Sequence, residues 1–572
     1  MSTLSPLIRT RECPALPELP GLGPVLSRIY RARGIRTEQE LVLTLQDLEP
    51  YHSLKGMDAA VEALLPVVLR QKKLLVVGDF DADGATSTAL VIRALHMLGA
   101  TRVDYLVPDR FDLGYGLSPG LVEIARGYEP DLIMTVDNGI ASVSGVAAAR
   151  AAGIPVLVTD HHLPGDELPD ALAIVNPNQP GCDFPSKAAC GCTVAFYVML
   201  ALRAALVERG VFTKETAPNL TCLLDLVALA TVADVVPLDR NNRILVEQGL
   251  RRIRSGATQP GILALLQVAG KDARRMTSTD FGFAIGPRIN AAGRLTDMSA
   301  GIECLLTDDP QRALSLAAEL DSLNRERRQI EQTMQTEALQ LLEQVRETDE
   351  RRTGVCLFHR EWHQGVIGIL ASRIKERLYR PVIAFAPGDQ GDLKGSARSI
   401  PGLHMRDALD LTDKRHPGLI IKFGGHAMAA GLTLRSDALD AFSDAFDAVC
   451  RELLDDADLH HRLDTDGELS AQEFTMDLAE QIRLGGPWGQ GFPEPLFAGE
   501  FRLQQQRLVG GHHLKMMLQP LRSDTALDAI CFNIDTAVWP DYDRDILRCV
   551  FQLDVNEYRG QRSVQLLIRH IE

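Results

Sequence analysis

The chain has 572 residues, 45% of them hydrophobic and 24% charged, with a formal net charge of −16. That length exceeds what one hydrophobic core can organise and calls for three or more domains, while the composition is ordinary for a globular protein. The acidic excess excludes binding of nucleic acid by bulk charge, but leaves room for a local basic groove that grips phosphates at short range.

No apolar run is long enough to span a bilayer, the best stretch near 194–206 being interrupted by Arg203. The N-terminus lacks the continuous apolar core of a signal peptide. Ten cysteines are scattered without a disulfide framework, which suits a reducing cytoplasm. Cys182, Cys190 and Cys192 lack the second pair a zinc site needs and read as packing or surface thiols.

In chain order, residues 1–55 are Pro- and Leu-rich and read as a small appendage to an α/β catalytic domain at 56–305. Within that domain 73–78, 131–136 and 154–159 are short runs of Val, Ile and Leu, as strands buried in a parallel sheet should be. Helix-like stretches follow at 86–98 and 141–152. Each run ends in acid: Asp79, Asp81 and Asp83 after the first, Asp137 after the second, and Asp160, His161 and His162 after the third. A fourth acid, Asp234, lies in the apolar stretch LVALATVADVVPL. Ligands of open parallel sheets bind beyond the carboxyl ends of the strands, so these groups converge on one sheet edge. Buried carboxylates need counter-charge, and no Lys or Arg stands in the four clusters. Carboxylates with one or two imidazoles suit Mg²⁺ or Mn²⁺. The pattern is that of a two-metal hydrolase.

Two other readings of these residues fail. DFDADG opens like an EF-hand, but its twelfth position is Leu90 instead of Glu, and a strand precedes it instead of a helix. Turn formation or helix capping would explain Asp83 or Asp137 singly. It does not explain Asp-His-His at a strand end, or the alternation at 79, 81 and 83.

Beyond the catalytic domain, 306–347 reads as a long connecting helix with Leu316, Leu320, Leu323, Ile330 and Met334 at helical spacing. A second α/β unit at 348–455 contains GVCLFH, a helix near 364–378, PVIAFAP, LKGSARS, GGHAMAAGLTL and a helix near 436–453. From 456 to 572 the pattern becomes strand-like. Cys549, Phe551, Leu553 and Val555 alternate with their neighbours at period two, and a turn at Arg559-Gly560 leads to Val564, Leu566 and Ile568, which predicts a hairpin in a small barrel. Trp488, Phe492 and Phe497 at the barrel's approach are assigned to packing in preference to base stacking. The basic clusters Arg251/Arg252/Arg254, Lys271/Arg274/Arg275 and Arg325/Arg327/Arg328 read singly as solvated helix faces.

The series VGDFDADG, VDNG, DHH and ATVADVVPL resembles the DHH phosphoesterase superfamily, and FGGHAMAAG resembles the Gly-Gly-His motif of its associated C-terminal domain. GPRINAAGR, WHQGVIGILASRIKER and GPWGQGFPEPLF extend the resemblance over nearly the whole chain to the RecJ exonuclease family. That resemblance implies a parallel-sheet DHH domain, a connecting helix, a DHH-associated α/β domain and a C-terminal OB-fold barrel. It implies a metal-dependent exonuclease specific for single-stranded DNA, working 5′→3′, releasing 5′-mononucleotides and acting in repair and recombination.

Carried over by motif, Asp137 bridges two Mg²⁺ or Mn²⁺ ions. Asp81, with Asp79, binds one; Asp83, His161 and Asp234 bind the other. Asp160 orients a ligating histidine. His162 faces the substrate, as a contact to the scissile phosphate or as the acid for the leaving 3′-oxygen, the phosphate contact being preferred. Ser396 and Arg398, with Arg110, take the terminal 5′-phosphate. Gly424, Gly425 and His426 admit a phosphate close to the backbone, and Arg288 and Asn290 line the strand's path. Single-stranded DNA is the partner implied, with a helicase and a single-strand-binding protein as candidate protein partners and no membrane. One departure stands out: Gly191-Cys192-Thr193 replaces the family's Gly-x-Gly, and because threonine resists positive φ, a local backbone difference is expected there. The alternatives are a nano-RNase or nucleotide phosphatase of the superfamily, which are shorter and lack the barrel, and a non-catalytic DHH scaffold, which loses the ligands filled here.

Overall fold

The apolar runs LLVV, LIMTV and VLVT become the central strands of one sheet, buried along their whole length. The computed structural model describes residues 6–14, 17–109, 115–346, 352–388, 391–558 and 560–572. Five strands run parallel in the order Val103–Leu106, Leu74–Val77, Leu132–Val136, Val156–Thr159, Ala173–Val175. Leu74–Val77 has its sequence successor on one side and Leu132–Val136 on the other. The order reverses there, opening a crevice at the strands' carboxyl ends.

The first crossover helix, Ala82–Met97, starts four residues before the expected stretch, because the Asp81 side chain caps it by accepting the Gly84 N–H at 3.0 Å. Asp83 thereby enters the first helical turn. Helix Gly191–Glu208 is long and apolar enough to cross a membrane, yet 67% of it is buried inside the protein, as in a core helix. Asp234 sits at the C-terminal end of helix Leu224–Ala233.

Helix Pro310–Arg346 spans 37 residues. Leu316 and Leu320 belong to the core that contains the parallel sheet, whereas Met334, Ala338 and Leu342 belong to another. The described residues accordingly form two compact units, those of 11–324 with 465–572, and those of 325–464 with 6–10.

The second unit carries a mixed sheet in the order Ile420–Gly425, Ala429–Arg435, Asp392–Arg398, Val382–Pro387, Val355–Phe358, with only the last pair parallel. GGHAMAAG is thus a strand-to-strand hairpin. The C-terminal strands Phe497–Val509, His513–Pro520, Leu527–Cys531, Ile546–Tyr558 and Gln561–Ile571 close into a barrel. Gly560 turns the last hairpin at φ +78°, and Arg559 lies outside the described residues.

Barrel and catalytic sheet share the first unit. Trp488, Tyr30 and Phe492 form a mutually stacked cluster, with ring centroids 5.9 Å apart for Tyr30–Trp488, 5.2 Å for Trp488–Phe492 and 6.4 Å for Tyr30–Phe492. The Arg33 guanidinium lies 5.3 Å above Trp488 and forms a fully buried ion pair with Asp466 at 2.7 Å. Trp488, Phe492 and Phe497 are all buried, so these three rings pack the fold.

Candidate metal centre

Asp79 and Asp137 leave the sheet on either side of the crevice, and both are buried. Asp137 adopts φ +62°, a left-handed conformation that aspartate tolerates better than most residues. Its Oδ1 is buried without a hydrogen-bond partner. The Nε2 of His161 lies 3.1 Å from that oxygen, 3.5 Å from Asp234 and 3.9 Å from Asp83. Three sets of ligand-type atoms, each within 4.8 Å, result: Asp79/Asp81/Asp137, Asp83/His161/Asp234, and Asp137/His161/His162. Asp137 belongs to two of them.

The electrostatics call for cations. Burial, then the charge of Asp81, pushes the Asp83 carboxyl up to about 6, against the pull of two backbone amides. Burial and the surrounding carboxylates raise Asp137 and Asp234 well above the usual range. A divalent ion would reverse both effects. Oxygen donors with imidazole suit Mg²⁺ or Mn²⁺, and Cys190 and Cys192 are fully buried thiols that burial holds protonated. The donor set therefore fits the expected ions.

Asp160 acts on a different ring from the one expected. Its Oδ1 accepts from His162 Nδ1 at 2.7 Å and from the main-chain N–H groups of His161 and His162, while Oδ2 accepts from Ile140 N–H. The carboxylate therefore orients His162, and touches ligating His161 through its backbone. Although burial opposes charge on both groups, this bond lowers Asp160 and raises His162 to about 9.

Several supporting residues escaped sequence reasoning. The N–H groups of Gly191 and Cys192, opening helix Gly191–Glu208, donate to Asp83 at 2.7 and 2.9 Å. Thr193 is simply helical and needs no positive φ, so the expected backbone difference does not arise. Asn176 and Asn178 donate to the carbonyls of His162 and His161. The Tyr115 hydroxyl reaches the Asp137 carbonyl at 3.0 Å. Of these, only Gly191 carried a sequence signal, through the family's Gly-x-Gly.

The comparisons agree with this geometry. Residues 73–231 match the DHH family N-terminal domain, 352–452 the DHHA1 domain and 465–570 the RecJ OB domain. The chain is 55% identical over 568 residues to the single-stranded-DNA-specific exonuclease RecJ of Escherichia coli, covering 99% of this chain and 98% of that one. It belongs to the RecJ family. The Bacillus subtilis RecJ is 32% identical, covering 96% of this chain and 68% of the relative. The crystal structure of Thermus thermophilus RecJ in complex with Mn²⁺ superposes with a TM-score of 0.79 at 29% identity, covering 99% of this chain and 79% of that one.

The remaining candidates fall into three groups. Arg288, expected along the strand's path, is instead buried, its guanidinium held by Asp321 at 2.8 Å and by the Ala284 carbonyl at 2.6 Å. Asn290 accepts the Ala82 N–H at 2.8 Å and so braces the loop that carries Asp79 and Asp81. Arg110 lies outside the described residues.

Ser396, Arg398, Gly424, Gly425 and His426 belong to the second unit. Arg398 donates to Ser396 Oγ at 3.1 Å, and both approach Gly368 near the start of helix Ile367–Leu378, where a β-carbon would come within 2.9 Å of each. Gly425 takes φ +149° with its backbone against Ala429 and Ala430, while Gly424 faces open space and the side chain of His426 is only partly covered.

The basic clusters are largely committed within the fold: Arg251 to Glu247, Lys271 to Asp280, Arg274 to Asp272, Arg275 to Glu557 and Arg327 to Glu331. A groove on the barrel is lined by Gln504, Arg507, Lys515, Met517, Tyr542 and Arg544, and Tyr542 is 78% exposed. Composition gave no reason to prefer this tyrosine over any other.

Proposed function

We propose that this chain is a single-strand-specific DNA exonuclease that works from the 5′ end and releases 5′-mononucleotides, using two Mg²⁺ or Mn²⁺ ions. The observation that carries the reading is the buried oxygen of Asp137, a residue that groups with Asp79 and Asp81 and whose Oδ1 lies 3.1 Å from His161, a member of the set with Asp83 and Asp234. Asp79, Asp81 and Asp137 would hold one ion; Asp137, Asp83, His161 and Asp234 the other. Bound there, the pair supplies an activated water and charge stabilisation at the phosphodiester.

The chain's own groups prepare that site. The amides of Gly191 and Cys192 fix the direction of Asp83. Asp160 occupies Nδ1 of His162, so a contact to the scissile phosphate falls to Nε2. In the second unit Arg398, Ser396, His426 and the glycines beside it form the anion-binding face for a terminal 5′-phosphate. The barrel groove holds the strand by stacking on Tyr542 and by a phosphate contact from Arg507, while Lys515 and Arg544 are paired with Asp528 and Asp541.

The closed barrel argues against a small phosphatase or nano-RNase, and the complete ligand set argues against a scaffold that has lost catalysis. A role in repair and recombination follows from the family, with a helicase and a single-strand-binding protein as the partners such an enzyme would use. End-labelled single strands and duplexes incubated with Mn²⁺ or Mg²⁺ test the reading. Mononucleotides should appear from the 5′ end of single strands only, and not with Asp137→Ala. Release from the 3′ end, or equal attack on blunt duplex, would refute it.

A further inference from the structure

We infer that Tyr115 is a positioning residue of the reaction, one hydroxyl that fixes both the backbone of Asp137 and the ring of His162. The inference rests on the proposed roles of those two residues. Tyr115 lies between strand Val103–Leu106 and helix Pro119–Arg126, at the crevice where the sheet order reverses. Its oxygen is 3.0 Å from the main-chain oxygen of Asp137, 3.0 Å from Nδ1 of His162 and 3.4 Å from Nε2. Reach to both ring nitrogens places the oxygen against the Cε1 edge of the imidazole. The phenol ring meets His162 nearly perpendicularly at 5.6 Å and Phe80 likewise at 6.2 Å.

A phenol has one proton to donate, and a carbonyl can only accept. The proton therefore goes to Asp137, and the oxygen's lone pairs face His162. Asp137 is a residue that such a tie helps to hold. It sits at φ +62°, one step beyond its strand, where its N–H still bonds Thr159. A left-handed residue costs about 1–2 kcal/mol and persists only where its surroundings hold it. Tyr115 supplies one of those holds from the carbonyl side. The same atom limits rotation of His162, whose Nδ1 also bonds Asp160. A ligand shared by two of the atom sets and the ring meant for the phosphate are thus placed by one group. Tyr115 is 49% exposed, so loss of its hydroxyl opens no core.

The test uses the full-length protein and Tyr115→Phe, which removes the hydroxyl alone, alongside Asp137→Ala, His162→Ala and the double variant Tyr115→Phe/His162→Ala. Single-strand degradation in saturating Mn²⁺ and melting with and without Mn²⁺ are measured for each. Tyr115→Phe should lower kcat by about 10- to 100-fold, the scale of a displaced catalytic group. KM and the metal-free melting temperature should stay at wild-type values, and more Mn²⁺ should be needed to reach half the melting shift. In the His162→Ala background the same change should be less damaging, because the two residues act together. A kcat within twofold of wild type overturns the inference, as does a loss accompanied by a lower metal-free melting temperature and an equally altered KM. Activity in Asp137→Ala would refute the site itself; an inactive Asp137→Ala beside an unimpaired Tyr115→Phe refutes only the role of Tyr115.

Discussion

Gly191 is pressed against Asp137: a β-carbon on the glycine would lie 2.6 Å from the aspartate's Cβ and 2.7 Å from its Oδ1. The same glycine donates its N–H to Asp83 at 2.7 Å. One backbone position thus sets the spacing between a carboxylate that follows one strand and a carboxylate in the first turn of the helix that follows another. Gly191→Ala should push the two apart and lower kcat by about 100-fold or more, as small displacements of catalytic groups do. Circular dichroism should remain native. Wild-type turnover in this variant would show that the spacing is not critical.

Without metal, the centre should destabilise the protein in a pH-dependent way. Burial and the charges of Asp83, Asp81 and Asp234 hold the Asp137 carboxyl well above its ordinary 3.8. The folded state then keeps a proton that the unfolded chain releases, so this group's contribution to stability falls as pH rises from 3.8 through the folded value. Metal-free Asp137→Asn should melt above metal-free wild type at neutral pH, with the gap closing as the pH approaches that ordinary value. Added Mn²⁺ should reverse the order by stabilising only the wild type strongly. A variant that melts lower at neutral pH without metal would contradict the repulsion argument.

Polarity should depend on Arg398. A charge-assisted contact is worth about 1.5–3 kcal/mol, so Arg398→Ala should weaken binding of 5′-phosphorylated strands by roughly 10- to 150-fold. Strands with a 5′-hydroxyl should be much less affected. Equal losses for both would assign Arg398 to general backbone contact or to the fold.

Strand holding should depend on Tyr542. Stacking contributes about 1–3 kcal/mol per base, so Tyr542→Ala should raise KM on long strands while leaving kcat at saturation nearly unchanged. Binding titrations across salt concentrations should show a lower affinity with a similar salt slope, because no phosphate contact is removed. An unchanged KM would move the strand's path elsewhere on the barrel.

Deleting the barrel is a poorer probe than that point change. Arg33 and Asp466 form a fully buried pair, and Trp488 stacks on Tyr30. Removing one member of a buried pair typically costs about 3–5 kcal/mol. A 1–455 fragment should therefore melt well below the full chain, in addition to any loss of binding, and a thermal scan would show this. A fragment as stable as the whole would mean that the two parts fold independently.

The acidic strand ends were legible in the sequence because parallel strands buried on both faces read as unbroken apolar runs. Their carboxyl ends must share one edge, so Asp79, Asp137 and Asp160 were brought together by topology alone. The last hairpin was legible for a similar reason: one wet face and one buried face impose a period of two. Local rules of this kind depend on neighbours in the chain. What only the tertiary structure decided depends on approach between distant segments. The contact of Gly191 with Asp137, the choice of His162 over the ring of His161 as partner of Asp160, and the Tyr115 hydrogen bond to Asp137 are set by how helices and loops dock on the sheet. Arg288 shows the same limit. Its motif suggested a substrate contact, but burial beside Asp321 was decided by the packing of two helices whose meeting no local pattern encodes.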